Sequence, residues 1–533
     1  MGVMGSLIGL VIAWIYLPWF GMGKTLSSGD WPYLFRETIV SLPAVPGNQA
    51  LWLDTYYHLT AKLGVQVLGL PWEVTEKLFW FYPFLLIAIA SSFIFVHDAL
   101  PDVAPPLIHK ALALVGSLIY TANSYILMIA GGGQMGVAMA YALAPAVCCI
   151  FLRLFKQPTV GLVKFVVFSL IVSAQLMFDP RVFIVTVGGA LILLLIRLSA
   201  SRTIGSRTDW MRVAVLLGVA IGINAFWMVP NVLSYRSFYG AATQGDAIGF
   251  FSFATFSNAI SLLHPNWPQN IFGKIGFMRP EFLFIPMIAF ASLLIIGKMK
   301  KSLFGFAVLA LVGAFLSKGV NDPFGEVYRF LAKIPGFMIF RDPTKFYVLI
   351  ALSYAVLIPS TLLALTQKMH RRYWAAPLFA FLLLWIVMHR QAFAGVLTGT
   401  FQPRTVPPEY VRLKDYFLHV GDDFAVLWVP RIQRFGFYSD TVLPLNSQDE
   451  LADLPAGDLA ATLATAAGEF IRREHVAFVV IPYDSEGEIF LTDRAYDHTK
   501  RLAWEKAVDG IGWLEKLVIP GMTERITVYK IRQ

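Results

Sequence analysis

Charge is scarce in this sequence. Only 14% of its 533 residues are Asp, Glu, Lys or Arg, against about 25% in an ordinary soluble domain. Together with 57% hydrophobic residues and a mean hydropathy of +0.63, that scarcity argues against a soluble chain and for a polytopic membrane protein. Cysteine is nearly absent. The two that exist, Cys148 and Cys149, are adjacent in an apolar run. Neighbours on a helix point about 100° apart, which argues against a disulfide between them. Glycine-rich phosphate loops are missing; GMGKT at 21–25 has neither the glycine spacing nor the preceding strand of such a loop. No zinc-like spacing occurs, and no long basic stripe carries interleaved aromatics. The net charge of +9 therefore does not indicate a nucleic-acid partner. Its basic residues cluster between apolar runs, where they orient a chain in a bilayer.

What is present is a series of apolar runs, each compared with the roughly 20 residues a membrane helix needs. Candidates lie near 3–20, 79–97, 108–129, 134–152, 161–178, 181–198, 212–230, 281–297, 303–317, 345–366 and 373–396. The expectation is about eleven transmembrane helices. The opening MGVMGSLIGLVIAWIYLPWF lacks a basic leader and reads as the first of them. Two joins are very short: GGGQMG (131–136) can reverse the chain, and FDPR (178–181) can stop one helix and start the next. Lys and Arg gather at 153–164, 197–212, 298–301 and 368–372. With eleven spans these clusters share one side, the cytoplasmic one. The N-terminus is then cytoplasmic, and connections 21–78, 231–280 and 318–344 face outward.

The outward connections hold the polar chemistry. The first carries Asp30 beside Trp31, then Asp54 and His58, four residues apart and so able to share a helix face. Asp30 can cap a short helix, or it can take a proton from a substrate hydroxyl at the membrane surface. The second contains His264, Asn266 and Trp267 in HPNW, which is either a turn or a set of sugar contacts. The third ends in FRDPTKF (340–346), at the mouth of an apolar run. There Asp342 is placed to cap the helix that Pro343 starts. Arg341 and Lys345 sit against the helix dipole and need a carboxylate or an anionic ligand, such as a lipid-linked phosphate.

From about residue 403 the composition changes. Charged residues increase and no 20-residue apolar run remains. AVLWVP (425–430), VAFVVIPYD (476–484) and ITVYKI (526–531) read as strands, 448–470 and 493–508 as helices. The expected organisation is a helical membrane domain over 1–402 and an extracytoplasmic α/β domain over 403–533.

Several motifs resemble a known family: GDWPYLF (29–35) in a long first outward loop, IPGFMIFRDPTKF (334–346), PPEY (407–410), WVP (428–430) and VAFVVIPYD (476–484). The chain resembles the YfhO-like and mycobacterial arabinofuranosyltransferase-like membrane proteins of the GT-C glycosyltransferase superfamily. That resemblance implies transfer of a sugar from a polyprenyl-phosphate-linked donor to an envelope glycan, lipid or protein. It implies Asp30 as the base, with Asp54 as rival, and Arg341 and Lys345 on the donor phosphate. Trp31, His58, His264 and Trp267 are the candidate acceptor or sugar contacts. The adjacent paired carboxylates of some GT-C first loops are missing here, since Trp31 follows Asp30, so no metal or other cofactor is assigned. The alternatives are a non-catalytic membrane assembly factor, or a transporter or flippase of a lipid-linked or small polar substrate.

Overall fold

The computed structural model describes residues 2–42, 52–100, 105–156, 159–201, 206–233, 247–268, 278–295, 300–370, 373–397, 399–421, 423–450, 467–482, 498–522 and 526–532. The chain forms two compact units. One comprises Met1–Phe20, Pro46–Thr55 and Leu78–Leu397; the other Gly21–Val45, Tyr56–Lys77 and Thr398–Gln533.

The first unit is helical and apolar. Its centre is the helix Tyr347–Lys368; in the most apolar 18-residue window of Pro343–Lys368, 94% is buried within the protein. Pro106–Thr121, Phe284–Ile295 and Lys300–Ser317 pack around that helix. Gly116 lets one of them approach closely, because a Cβ there would strike the Ala355 carbonyl. By contrast, only 28% of the corresponding 18-residue window of Arg207–Asn231 is buried, and its exposed Val215, Ile223 and Phe226 form a surface suited to lipid.

The expected eleven transmembrane helices are not supported. Among the described residues five helices are long and apolar enough to cross a membrane: Trp72–Ala99, Met135–Leu154, Pro180–Ser199, Arg207–Asn231 and Pro343–Lys368. A sixth is reached only by counting Pro106–Thr121 and Ser124–Gly131, bent by 45°, as one broken span. Apolar composition ran ahead of helix length. Pro18 lies in the 3-10 turn Leu17–Phe20 that follows the first helix, Gly2–Ile15. Asn123 ends another run by accepting the Ile126 amide at 3.2 Å, which caps a new helix in a new direction. Met4–Ile15, Leu162–Phe178, Pro280–Leu294, Leu303–Ser317 and Ala376–Met388 are apolar but shorter. The protein is a multi-pass membrane protein.

The second unit contains a five-stranded mixed sheet: β1 Phe424–Trp428, β2 Val442–Asn446, β3 Val476–Ile481, β4 Leu514–Leu517 and β5 Thr527–Ile531. Their order is β2-β1-β3-β5-β4. β1 pairs parallel with β2 and β3, whereas β5 runs antiparallel to β3 and β4. Both faces are covered, so β1 is buried at every position. On one face Tyr410, Leu413 and Phe417 of the helix Pro408–Val420 pack against Val426, Trp428 and Phe478, with Phe35 in the same cluster. On the other face Val508 of the helix His498–Asp509 packs against Leu427, Val479 and Tyr529.

Candidate functional site

Two polar centres stand out, one in each unit. In the helical unit, two Asp-Pro steps build the same device. Asp179 accepts the amides of Arg181 and Val182 at 2.8 and 3.0 Å, capping the helix Pro180–Ser201, and pairs with Arg181 at 2.5 Å. Asp342 accepts the Thr344 amide at 3.0 Å and its hydroxyl at 2.6 Å, and pairs with Lys345 at 2.7 Å. In each, proline supplies a fixed φ, the carboxylate satisfies open amides, and the cation that would oppose the helix dipole is neutralised by the cap. Lys345 is buried and also donates to the Gln134 Oε1 at 3.3 Å.

Further groups surround these pairs. Tyr125 stacks on Tyr347 at 5.2 Å and lies within electrostatic reach of Asp342, Asp179 and Arg181. Its buried hydroxyl has no hydrogen-bond partner among the described residues. His264 is buried 6.1 Å from the Tyr347 ring, and its Nδ1 accepts the Asn266 amide at 3.2 Å. Burial pushes the His264 imidazole down to about 4, with Lys345 adding to the shift and Asp342 opposing it. Burial disfavours the charge on Asp342. The Lys345 ammonium and the bonds from Lys345 and Thr344 outweigh that cost and hold the carboxyl at about 2. Arg341 is different: it is exposed, its guanidinium lies 5.4 Å from the Phe251 ring, and it forms no carboxylate pair among the described residues. Trp267 is buried edge-on to His389 at 5.4 Å.

In the second unit, Ser28 and Trp31 exchange backbone hydrogen bonds of 3.0 and 2.8 Å around a two-residue turn. Gly29 takes the positive φ (+52°) that the turn demands, which leaves Asp30 exposed at its tip. Beneath it Trp31 is buried, stacked on Trp72 at 6.1 Å and edge-on to Tyr57 at 5.5 Å. Glu76 anchors the arrangement. Fully buried, it accepts from the Leu26 amide at 2.7 Å, the Trp31 Nε1 at 2.9 Å and the Thr25 hydroxyl at 3.1 Å. The same unit holds a cleft of about 400 Å³ lined by Tyr33, Phe35, Arg36, Glu37, Glu73 and Lys414, among others. The Tyr33 hydroxyl donates to Glu73 at 3.3 Å, and Lys414 pairs with Glu37 at 3.3 Å. His58 is half-buried, 6.1 Å from the Tyr57 ring. Asp54 lies in the helix Trp52–Lys62, but its side chain is outside the described residues.

The structure thus gathers Asp342, Lys345 and His264 in one unit, and Asp30, Trp31 and His58 in the other. Gln134, Tyr125, Asp179, Arg181, Glu73 and Glu76 join these centres without having been singled out from the sequence. The signal was available. FDPR repeats the Asp-Pro-cation logic of RDPTK, and Glu76 stands at the mouth of an apolar run just as Asp342 does. Among the described residues no group of three or more His, Cys, Asp or Glu is arranged to hold a metal ion.

The chain is similar to the cryo-EM structure of the arabinofuranosyltransferase AftD from Mycobacteria, with a TM-score of 0.59 at 14% identity. A mutant form of that enzyme aligns with a TM-score of 0.54 at 13% identity. These alignments cover 100% of this chain but only 40% and 42% of the AftD chains. At such identity the likeness is one of fold. No family model and no curated protein matches it.

Proposed function

We propose that this protein transfers a sugar from a polyprenyl-phosphate-linked donor to an extracytoplasmic glycan, lipid or protein acceptor. The observation that carries the reading is the full-length fold likeness to a membrane-embedded arabinofuranosyltransferase. The polar groups support it. Asp30 is a solvent-accessible carboxylate on a turn fixed from below by Trp31 and Glu76, as a general base needs. It takes the acceptor hydroxyl proton as that oxygen forms a bond to the anomeric carbon. The bond from that carbon to the phosphate breaks, and the prenyl phosphate leaves with the electron pair. Asp54 is the rival base.

Arg341, exposed and without a carboxylate partner among the described residues, contacts the donor phosphate. Lys345, held by Asp342, supports that positive field from behind. Trp31, His58, His264 and Trp267 shape the contacts to sugar or acceptor. The cleft beside Tyr33 and Glu73 combines aromatic faces with carboxylates, a chemistry that suits polyhydroxylated acceptors. The N-terminus is cytoplasmic and the sheet-bearing unit extracytoplasmic in this reading.

A transporter would place charge at mid-bilayer in several helices. Here Asp179 and Asp342 sit at the starts of apolar helices, which favours chemistry at a membrane face. The test is release of polyprenyl phosphate from a lipid-linked sugar by the purified full chain in nanodiscs. Turnover that falls with Asp30→Asn supports the reading. Turnover indifferent to both Asp30→Asn and Asp54→Asn removes it.

A further inference from the structure

At the far end of the same helices lies a second polar site. The helix Pro180–Ser201 begins beside Asp179 and carries Arg197 eighteen residues later, which is about 27 Å along its axis. There a cavity of about 360 Å³ opens among the ends of several helices, lined by the buried Phe95, Leu193 and Phe306 and by Arg153, Lys156 and Arg197. Asp98, the one carboxylate lining it, is already committed: it pairs with Arg153 at 2.5 Å and takes a second bond from the Arg153 Nε at 2.8 Å. Lys156 and Arg197 are exposed and form no ion pair among the described residues. An apolar floor with two uncommitted cations at its rim matches an amphiphile that has an anionic head. Gly305 also lines the cavity; a Cβ there would lie 3.4 Å from Leu193, so a longer side chain at this position is expected to take up cavity space.

We propose that this cavity binds an anionic phospholipid drawn from the bilayer, its phosphate on Lys156 and Arg197 and an acyl chain against the apolar floor. The excess of Lys and Arg at this end assigns it to the cytoplasmic leaflet. The site is separate from Asp342 and does not depend on the proposed sugar transfer. The full chain is released from mixed phosphatidylglycerol and phosphatidylcholine vesicles, and the retained lipid is read by native mass spectrometry. The wild type should retain phosphatidylglycerol over phosphatidylcholine by on the order of tenfold or more. The double variant Lys156→Ala/Arg197→Ala should lose that preference while keeping its thermal midpoint. Gly305→Met, which leaves the cations in place, should lower retention by filling the floor. Equal retention of both lipids by the wild type, or an unchanged preference in the double variant, overturns the proposal. Glycerol phosphate should displace the lipid only at large excess; equally tight binding of glycerol phosphate would show a soluble phosphate site instead and overturn the lipid assignment.

Discussion

The two polar centres solve opposite problems. In the helical unit the charges are closed: Asp179 answers Arg181, Asp342 answers Lys345, and each carboxylate also satisfies backbone amides. In the sheet-bearing unit the polar groups line an open cleft, and Asp30 stands at the tip of a turn. The difference teaches where chemistry is affordable. A charge among apolar helices must be matched at once, because an unpaired one costs several kcal/mol, on the order of 3–5. A charge on an exposed turn keeps its hydration and carries no such obligation. Arg341 is the instructive exception beside the closed centre, exposed where its neighbour Lys345 is buried.

The comparison can be broken most sharply at Asp30. Asp30→Asn should lower turnover by about two to four orders of magnitude while leaving the thermal midpoint unchanged, since the side chain is exposed. Parallel initial rates and melting curves check both halves. Next comes the closed centre. Lys345→Ala strands the Asp342 carboxylate and should cost about 3–5 kcal/mol in denaturant unfolding. The double variant Asp342→Asn/Lys345→Met removes both charges and should recover most of that loss. If the double variant is no more stable than the single one, the pair is not the reason for the cost.

The folded state holds His264 near 4 against an ordinary 6.5, so unfolded chains take up a proton that the folded protein refuses. The stability this contributes is complete above about pH 6.5 and is lost as pH falls toward 4, amounting to about 3 kcal/mol over that window. His264→Gln should flatten the pH dependence of the unfolding midpoint between those values, and an unchanged slope would count against a buried neutral imidazole. The smallest effect belongs to Glu76→Gln. It weakens the bonds from Leu26, Thr25 and Trp31 and should cost about 1–3 kcal/mol, with a shift in the tryptophan fluorescence that reports Trp31.

The sequence carried the apolar character of the membrane unit and three of the five strands. It did not carry the helix count, because hydropathy measures composition over a window and is blind to where a cap redirects the chain. Asn123 looks like one polar residue inside an apolar run until its side chain is seen to start a new helix. β2 and β4 escaped for a related reason: Val442–Asn446 has a proline at its centre and ends on an asparagine, and Leu514–Leu517 has two exposed charges at its centre. Both are edge strands of the sheet, where burial on two faces is not demanded. At the site, FRDPTKF was legible because its charges crowd seven residues. Gln134 was not, since its partner Lys345 lies far along the chain, and Asp179 was not, since FDPR reads as a simple turn between two apolar runs.

The central claim meets its most direct test in steady-state turnover of a polyprenyl-phosphate-linked sugar by the full chain in nanodiscs, with Asp30→Asn and Arg341→Ala beside it. The account predicts release of polyprenyl phosphate by the wild type, a kcat collapse for Asp30→Asn, and a raised donor KM with kcat largely kept for Arg341→Ala. Equal rates in all three proteins, or a wild type that binds the lipid-linked sugar and never breaks it, would contradict the account.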